Sequence, residues 1–197
     1  MNEAGFDVTP VEMDLSSRES IQALIAEGQK YGEIKMLVNA AGVSPSQAPI
    51  EAILKVYLYG TAVLLEKVGR AIAPGGVTIS SQSCWRMPAL TAEQGEKLAT
   101  TPTEELLSLD FLQPENIRDT LHAYQMAKRC NEKRITAQAV EWGERGARLN
   151  DIAPASSSRR WHSTSSTARA AASTRTCSLS APRDAPARRT KSQTSPS

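Results

Sequence analysis

The 197-residue chain has three cysteines, Cys84, Cys130 and Cys177. They form no C-x-x-C pair, and an odd count gives no disulfide framework, so reduced, ordinary thiols are expected. The only histidines, His122 and His162, stand beside none of them. No metal-ligand set and no Cys–His nucleophile is therefore read. No apolar run approaches the roughly 18 residues of a membrane helix, and no signal peptide opens the chain. A soluble cytoplasmic protein with no membrane partner is the expectation. The net charge is only +2. It hides a basic C-terminal segment on a mildly acidic body, and an acidic body argues against a nucleic-acid partner.

What is present is an alternation of short apolar runs with helical stretches, the pattern of an α/β domain with a mainly parallel sheet. Val8–Met13 reads as a strand that ends at Asp14. Ser16 offers an N-cap with Glu19 at capping-box spacing, and Ile21, Leu24 and Ile25 form one apolar stripe on the helix that follows. Met36–Val38 reads as a second strand and Glu51–Ile72 as a long helix. Pro74-Gly75-Gly76 is read as a breaker before a strand at Val77–Ser80. Ile117–Glu144 is read as helical, Gly146 as its stop, and Arg148–Ile152 as a fourth strand. Between Ser81 and Tyr124 lie 42 residues punctuated by Pro88, Pro102 and Pro114. Leu98, Leu106, Leu107, Leu109, Phe111 and Leu112 give that stretch apolar surface. A connection this long serves as a lid, a binding loop or small inserted helices, and residues 82–123 are read as a substrate-side insertion.

From Ala155 the composition changes. Residues 155–197 hold 18 Ser or Thr, eight Arg or Lys and one acid, Asp184. Leu179 is the only Leu, Trp161 the only aromatic, and Ile, Val, Phe, Tyr and Met are absent. Such a segment buries too little apolar area to offset its ordering entropy, so a disordered tail is expected. With no aromatics between the arginines to stack on bases, a nucleic-acid arm is disfavoured.

Three short patterns carry chemistry. Asn39-Ala40-Ala41-Gly42 follows the apolar run Met36-Leu37-Val38, and its small residues let backbone approach a ligand. Ser80-Ser81 closes the run Val77-Thr78-Ile79. Tyr124 and Lys128 spell Y-x-x-x-K on a helical pattern, so both fall on one helix face. A phenol is a poor acid or base at neutral pH, and a neighbouring ammonium favours its phenolate. Such a tyrosine exchanges a proton with a carbonyl or alcohol oxygen, which a serine hydroxyl opposite can hold.

In this order and register the patterns resemble the short-chain dehydrogenase/reductase family, over roughly Val8 to Pro154. The resemblance implies a Rossmann-like, doubly wound parallel sheet over residues 1–154 and an NAD- or NADP-dependent oxidoreductase acting on a small alcohol or ketone. It implies catalysis by Ser81, Tyr124 and Lys128, with Lys128 also on the nicotinamide ribose. Asn39, Ala40, Ala41 and Gly42 would line the cofactor. Asp14 would meet the adenine amine, with a helix-capping acid as the equal alternative. Family members are usually homo-oligomers.

The departures are as definite. The family's T-G-x-x-x-G-x-G phosphate turn is absent, together with the first βαβ unit that frames it, so an incomplete sheet is expected. Tyr57 stands where many members carry a catalytic Asn. One shifted reading frame serves both ends of the tail. Codons permitted for Asp184–Ser195, regrouped one base upstream, accommodate a run like the family's C-terminal G-R-x-G-x-P-x-E-V-A. The alternative to an active oxidoreductase is thus an inactive, truncated and frameshifted remnant without cofactor binding.

Overall fold

The computed structural model describes residues 5, 7–81 and 89–152. The expected tail at 155–197 lies outside the described residues, as do Cys84 and Cys177.

The first element differs from its sequence reading. Val8–Met13 forms no strand and enters as irregular chain. β-prone composition alone does not make a strand, because tertiary context decides its pairing. Asp14 then forms a local turn. Its Oδ1 accepts from the Ser16 N–H and the Ser16 hydroxyl, each at 2.8 Å. With Ser16 so engaged, the cap moves one residue on. Ser17 caps helix α1 (Arg18–Gln29), its hydroxyl accepting from the Ser20 N–H at 3.2 Å. The expected stripe Ile21, Leu24 and Ile25 is buried, each residue contributing on the order of 1.5–3 kcal/mol.

Strand β1 (Ile34–Asn39) is followed by a continuous helical run in three parts: α2 (Ile50–Ile53), a π-helical segment (Leu54–Gly60) and α3 (Thr61–Ala71). The sequence reading of one regular helix missed the π segment. Its widened turns place Tyr57 inward, and π segments often mark functional sites. Strand β2 (Ile72–Ser81) begins before Pro74-Gly75-Gly76 rather than after it. The three residues are absorbed as a bulge: Ile34 pairs with Ile72, yet Met36 pairs with Val77. Gly75 takes φ +80, where a side chain is strained, and its N–H donates to the Gly146 carbonyl at 2.7 Å. Helix α4 (Ala92–Thr100), three short 3₁₀ turns and helix α5 (Thr120–Glu144, capped by Asp119) lead to strand β3 (Arg148–Ile152).

The described strands form one parallel sheet in the order β1-β2-β3. All three long helices cover the same face. The residues buried there are Leu37 and Asn39 on β1, Thr78 and Ser80 on β2, and Leu149 on β3. One core cluster joins this face to α1, α3 and α5 through Leu37, Val63, Leu64, Leu65, Val68, Trp142 and Leu149. A second joins α5 and the π segment to the 82–123 stretch through Leu98, Leu106, Leu112, Met126 and Cys130. Arg134 of α5 ties that stretch down, donating to the Thr101 carbonyl at 2.8 Å, the Leu98 carbonyl at 3.4 Å and the Thr103 hydroxyl at 3.3 Å. The described part of that stretch, residues 89–123, is therefore packed against α5 and the π segment.

The opposite sheet face is open among the described residues, with apolar Met36, Val38 and Ile152 beside the exposed polar Arg148 and Asn150 of β3. Met36 and Val38 are each 45% exposed and Ile152 is 54% exposed. Apolar side chains exposed together in this way promote association. Met36→Lys combined with Ile152→Thr is expected to raise the concentration at which the chain aggregates and to shift its Tm by little, because neither side chain is in the core. Light scattering and a thermal melt check this; a loss of several degrees in Tm would show that the face is covered in solution.

Candidate active site

The three strands end together at their carboxyl edge, where α/β sheets place ligands. Register sets Asn39 of β1, Ser80 of β2 and Asp151 of β3 side by side. This row lies on the helix-covered face. Asn39 is 8% exposed; its amide donates to the Thr61 hydroxyl at 3.4 Å, while its Oδ1 has no partner among the described residues. Ser81 is the last residue of β2 and pairs with Ile152; its side chain lies outside the described residues. Ala40, Ala41 and Gly42 follow β1 as irregular chain.

Tyr124 and Lys128 sit on successive turns of α5, as their spacing requires. Lys128 is only 5% exposed. Its Nζ lies 5.6 Å from the Tyr124 ring centroid and 4.7 Å from that of Tyr57. The two rings meet edge to face, with centroids 5.1 Å apart and planes at 84°. Two aromatic faces thus hold one ammonium, an arrangement worth on the order of 1–2 kcal/mol when water is excluded. The Tyr57 hydroxyl donates to the Val43 carbonyl at 2.7 Å, which fixes the ring against the turn after β1. A Cβ at Gly42 would collide with that hydroxyl and ring. Gly42 is small here because Tyr57 fills the space beside it.

Burial lowers the Lys128 ammonium from an ordinary 10.5 to about 8, and Asp151 acts in the opposite sense. Burial likewise raises the Asp151 carboxyl above its usual range, against the pull of Lys128. Cys130, buried on the next turn of α5, is pushed up to about 12 by desolvation despite Arg134, and so is a packing residue. Asp14, proposed for adenine, is exposed and occupied by the turn ahead of α1. It stands well before the strand-end row in the chain and helps order an N-terminus. Among the described residues no helix is long and apolar enough to cross a membrane.

Two residues of this site were not chosen from sequence. Tyr57 was noted only as a departure from the family's Asn, and Asp151 was not singled out. The signal for Asp151 was present: in Arg148–Ile152 strict alternation puts it on the same face as Leu149.

The family model described as enoyl-(acyl carrier protein) reductase matches residues 1–185. The chain belongs to the short-chain dehydrogenase/reductase family. The matched span runs past Pro154, where the motif-based resemblance stops. A short-chain dehydrogenase/reductase of Alternaria brassicicola, bsc3, is 34% identical over 158 residues, covering 78% of this chain and 57% of that protein. The 3-alpha-hydroxysteroid dehydrogenase of Pseudomonas sp. B-0831, solved with NADH, is 24% identical with TM-score 0.55, over 73% of this chain and 57% of that one. A metagenomic short-chain oxidoreductase solved with NADP is 22% identical with TM-score 0.54, over 79% of this chain and 63% of that one. The chain thus spans under two thirds of the length of these relatives. The fold they share with it is the partial Rossmann-like sheet described above.

The lowered Lys128 value has a consequence for stability. Unfolded, this lysine keeps a value near 10.5; folded, it has about 8. Between these values the unfolded chain binds more protons, so stability rises with pH through that window and the full cost persists below pH 8. Lys128→Met is expected to raise unfolding free energy at neutral pH by roughly 1–3 kcal/mol and to abolish the rise above pH 8. Urea titrations at several pH values check it; a destabilised variant contradicts the buried-charge assignment.

Proposed function

We propose that this chain carries the proton-transfer half of an NAD(P)-dependent oxidoreductase that interconverts a small alcohol and the corresponding ketone or aldehyde. The observation that carries the reading is the Tyr124–Lys128 pair on one face of α5, with the ammonium 5.6 Å from the Tyr124 ring. In reduction, the Tyr124 hydroxyl donates its proton to the substrate carbonyl oxygen; in oxidation, the phenolate takes the proton from the alcohol. Ser81 holds the same oxygen by its hydroxyl. Lys128 keeps a positive charge beside Tyr124 and offers donors to a ribose hydroxyl. A bound NADH or NADPH would supply the hydride in reduction, and NAD+ or NADP+ would take it up in oxidation.

The residues present fit the nicotinamide-ribose end of such a dinucleotide. Tyr124 and Lys128 stand together near the strand ends, and Asn39 holds a buried, unpartnered oxygen there. They do not fit the pyrophosphate end. No glycine-rich turn leads into a helix N-terminus among the described residues, and Tyr57 fills the approach over Gly42. This second observation favours a different reading, a chain that retains the family's site without binding its cofactor.

Two measurements separate these readings. NADH and NADPH are expected to bind this chain in the millimolar range, and micromolar affinity by calorimetry would contradict the mismatch at the pyrophosphate. At millimolar dinucleotide, a panel of ketones and alcohols tests turnover. Turnover that Tyr124→Phe reduces by at least about 10²-fold without weakening dinucleotide binding supports the oxidoreductase. Full turnover in Tyr124→Phe sinks the assignment, and no turnover across the panel leaves the cofactor-free reading.

A further inference from the structure

The Tyr57 side chain spans from the turn after β1 to α5. Its hydroxyl donates to the Val43 carbonyl at 2.7 Å. Its ring lies so close to Gly42 that a Cβ there would collide with it. The same ring meets Tyr124 edge to face, with centroids 5.1 Å apart and planes at 84°. The Lys128 Nζ lies 4.7 Å from the Tyr57 centroid and 5.6 Å from that of Tyr124. The ammonium is thus nearer the ring that transfers no proton. We propose that Tyr57 is a positioning residue of this site, a brace between the turn after β1 and α5 that fixes the direction of the Tyr124 hydroxyl.

A proton donor works only when its hydroxyl points at the reacting oxygen. On a helix a long side chain has two common χ1 positions, about 180° and about −60°. Tyr124 is half-buried, so α5 alone leaves that choice open. An edge-to-face contact with a fixed ring makes the choice, because the ring quadrupoles favour that geometry. Two features fix Tyr57. Leu54 and Leu58 of the same π segment are buried and anchor its backbone in the second core. The bond to Val43 then holds the far end of the ring. Phenylalanine at this position would keep the ring and lose the tether, whereas leucine would keep apolar volume and lose both.

The proposal rests on the reading that Tyr124 is the proton donor, yet its first test needs neither dinucleotide nor substrate, so the two can fail separately. In the whole chain, NMR is expected to show Tyr124 in one χ1 rotamer, with cross-peaks between its ring protons and those of Tyr57. Tyr57→Leu should give averaged Tyr124 couplings, and Tyr57→Phe should keep the single rotamer. The Trp142 indole, which packs in the other core, should keep its signals in both variants. A Tyr124 rotamer unmoved by Tyr57→Leu overturns the proposal. So does a loss of order that spreads equally to Trp142, since a merely structural Tyr57 would loosen the fold without singling out Tyr124. Should Tyr57→Leu fail to fold, the wild-type chain decides: one rotamer with the cross-peak supports the brace, and averaged couplings or a missing cross-peak overturn it. Where the chain reduces a ketone at millimolar dinucleotide, Tyr57→Leu is expected to lower kcat by about tenfold or more with little change in KM, and an unchanged kcat overturns the proposal.

Discussion

A positive charge enclosed by two aromatic rings is the constraint on which this half-domain turns. Lys128 is buried, so its ammonium has lost most of its water. Beside it lie the Tyr57 face and the Tyr124 face, and Asp151 of β3 acts on it electrostatically. None of these comes from the same local stretch. Tyr57 is presented by a π-helical distortion, Tyr124 by the first turns of α5, and Asp151 by the last pairs of β3. The contact is satisfied only when the helical run 50–71, α5 and the parallel sheet are docked together.

Among the described residues the helices cover the sheet on one side. Its covered face is apolar low down, at Leu37 and Leu149, and polar at the carboxyl edge, at Asn39, Ser80 and Asp151. That gradient separates cohesion from chemistry along the same strands. The other face keeps Met36, Val38 and Ile152 exposed, while the inserted segment spends its apolar residues on the second core beside α5. The site is thus supported from the helix side, by α5 and the π segment.

Elements whose stabilising contacts are local or strictly periodic were legible in the sequence. Arg148–Ile152 has the bounds its alternation suggests, α1 buries its expected stripe, and the Tyr124–Lys128 spacing becomes a shared helix face. Elements decided by a distant partner were not. Val8–Met13 has a strand's composition and is irregular chain among the described residues. Pro74-Gly75-Gly76 has a breaker's composition, yet β1 on one side and Gly146 on the other hold it as a bulge. The π segment was hidden because Ile, Leu and Val continue through it without a break in pattern. Tyr57 and Asp151 became site residues only through tertiary placement, which neither spacing nor composition records. The family resemblance supplied Ser81, Tyr124 and Lys128, and the geometry adds what surrounds Tyr124 and Lys128.

The direct test of that constraint is a double-mutant cycle between Tyr57 and Lys128. Unfolding free energies of Tyr57→Leu, Lys128→Met and the double variant would be measured well below and well above the folded lysine's value of about 8. An ammonium held on the Tyr57 face predicts a favourable coupling of roughly 0.5–2 kcal/mol at the lower pH, falling toward zero at the higher pH as the charge is lost. Additive variants at both pH values would contradict it.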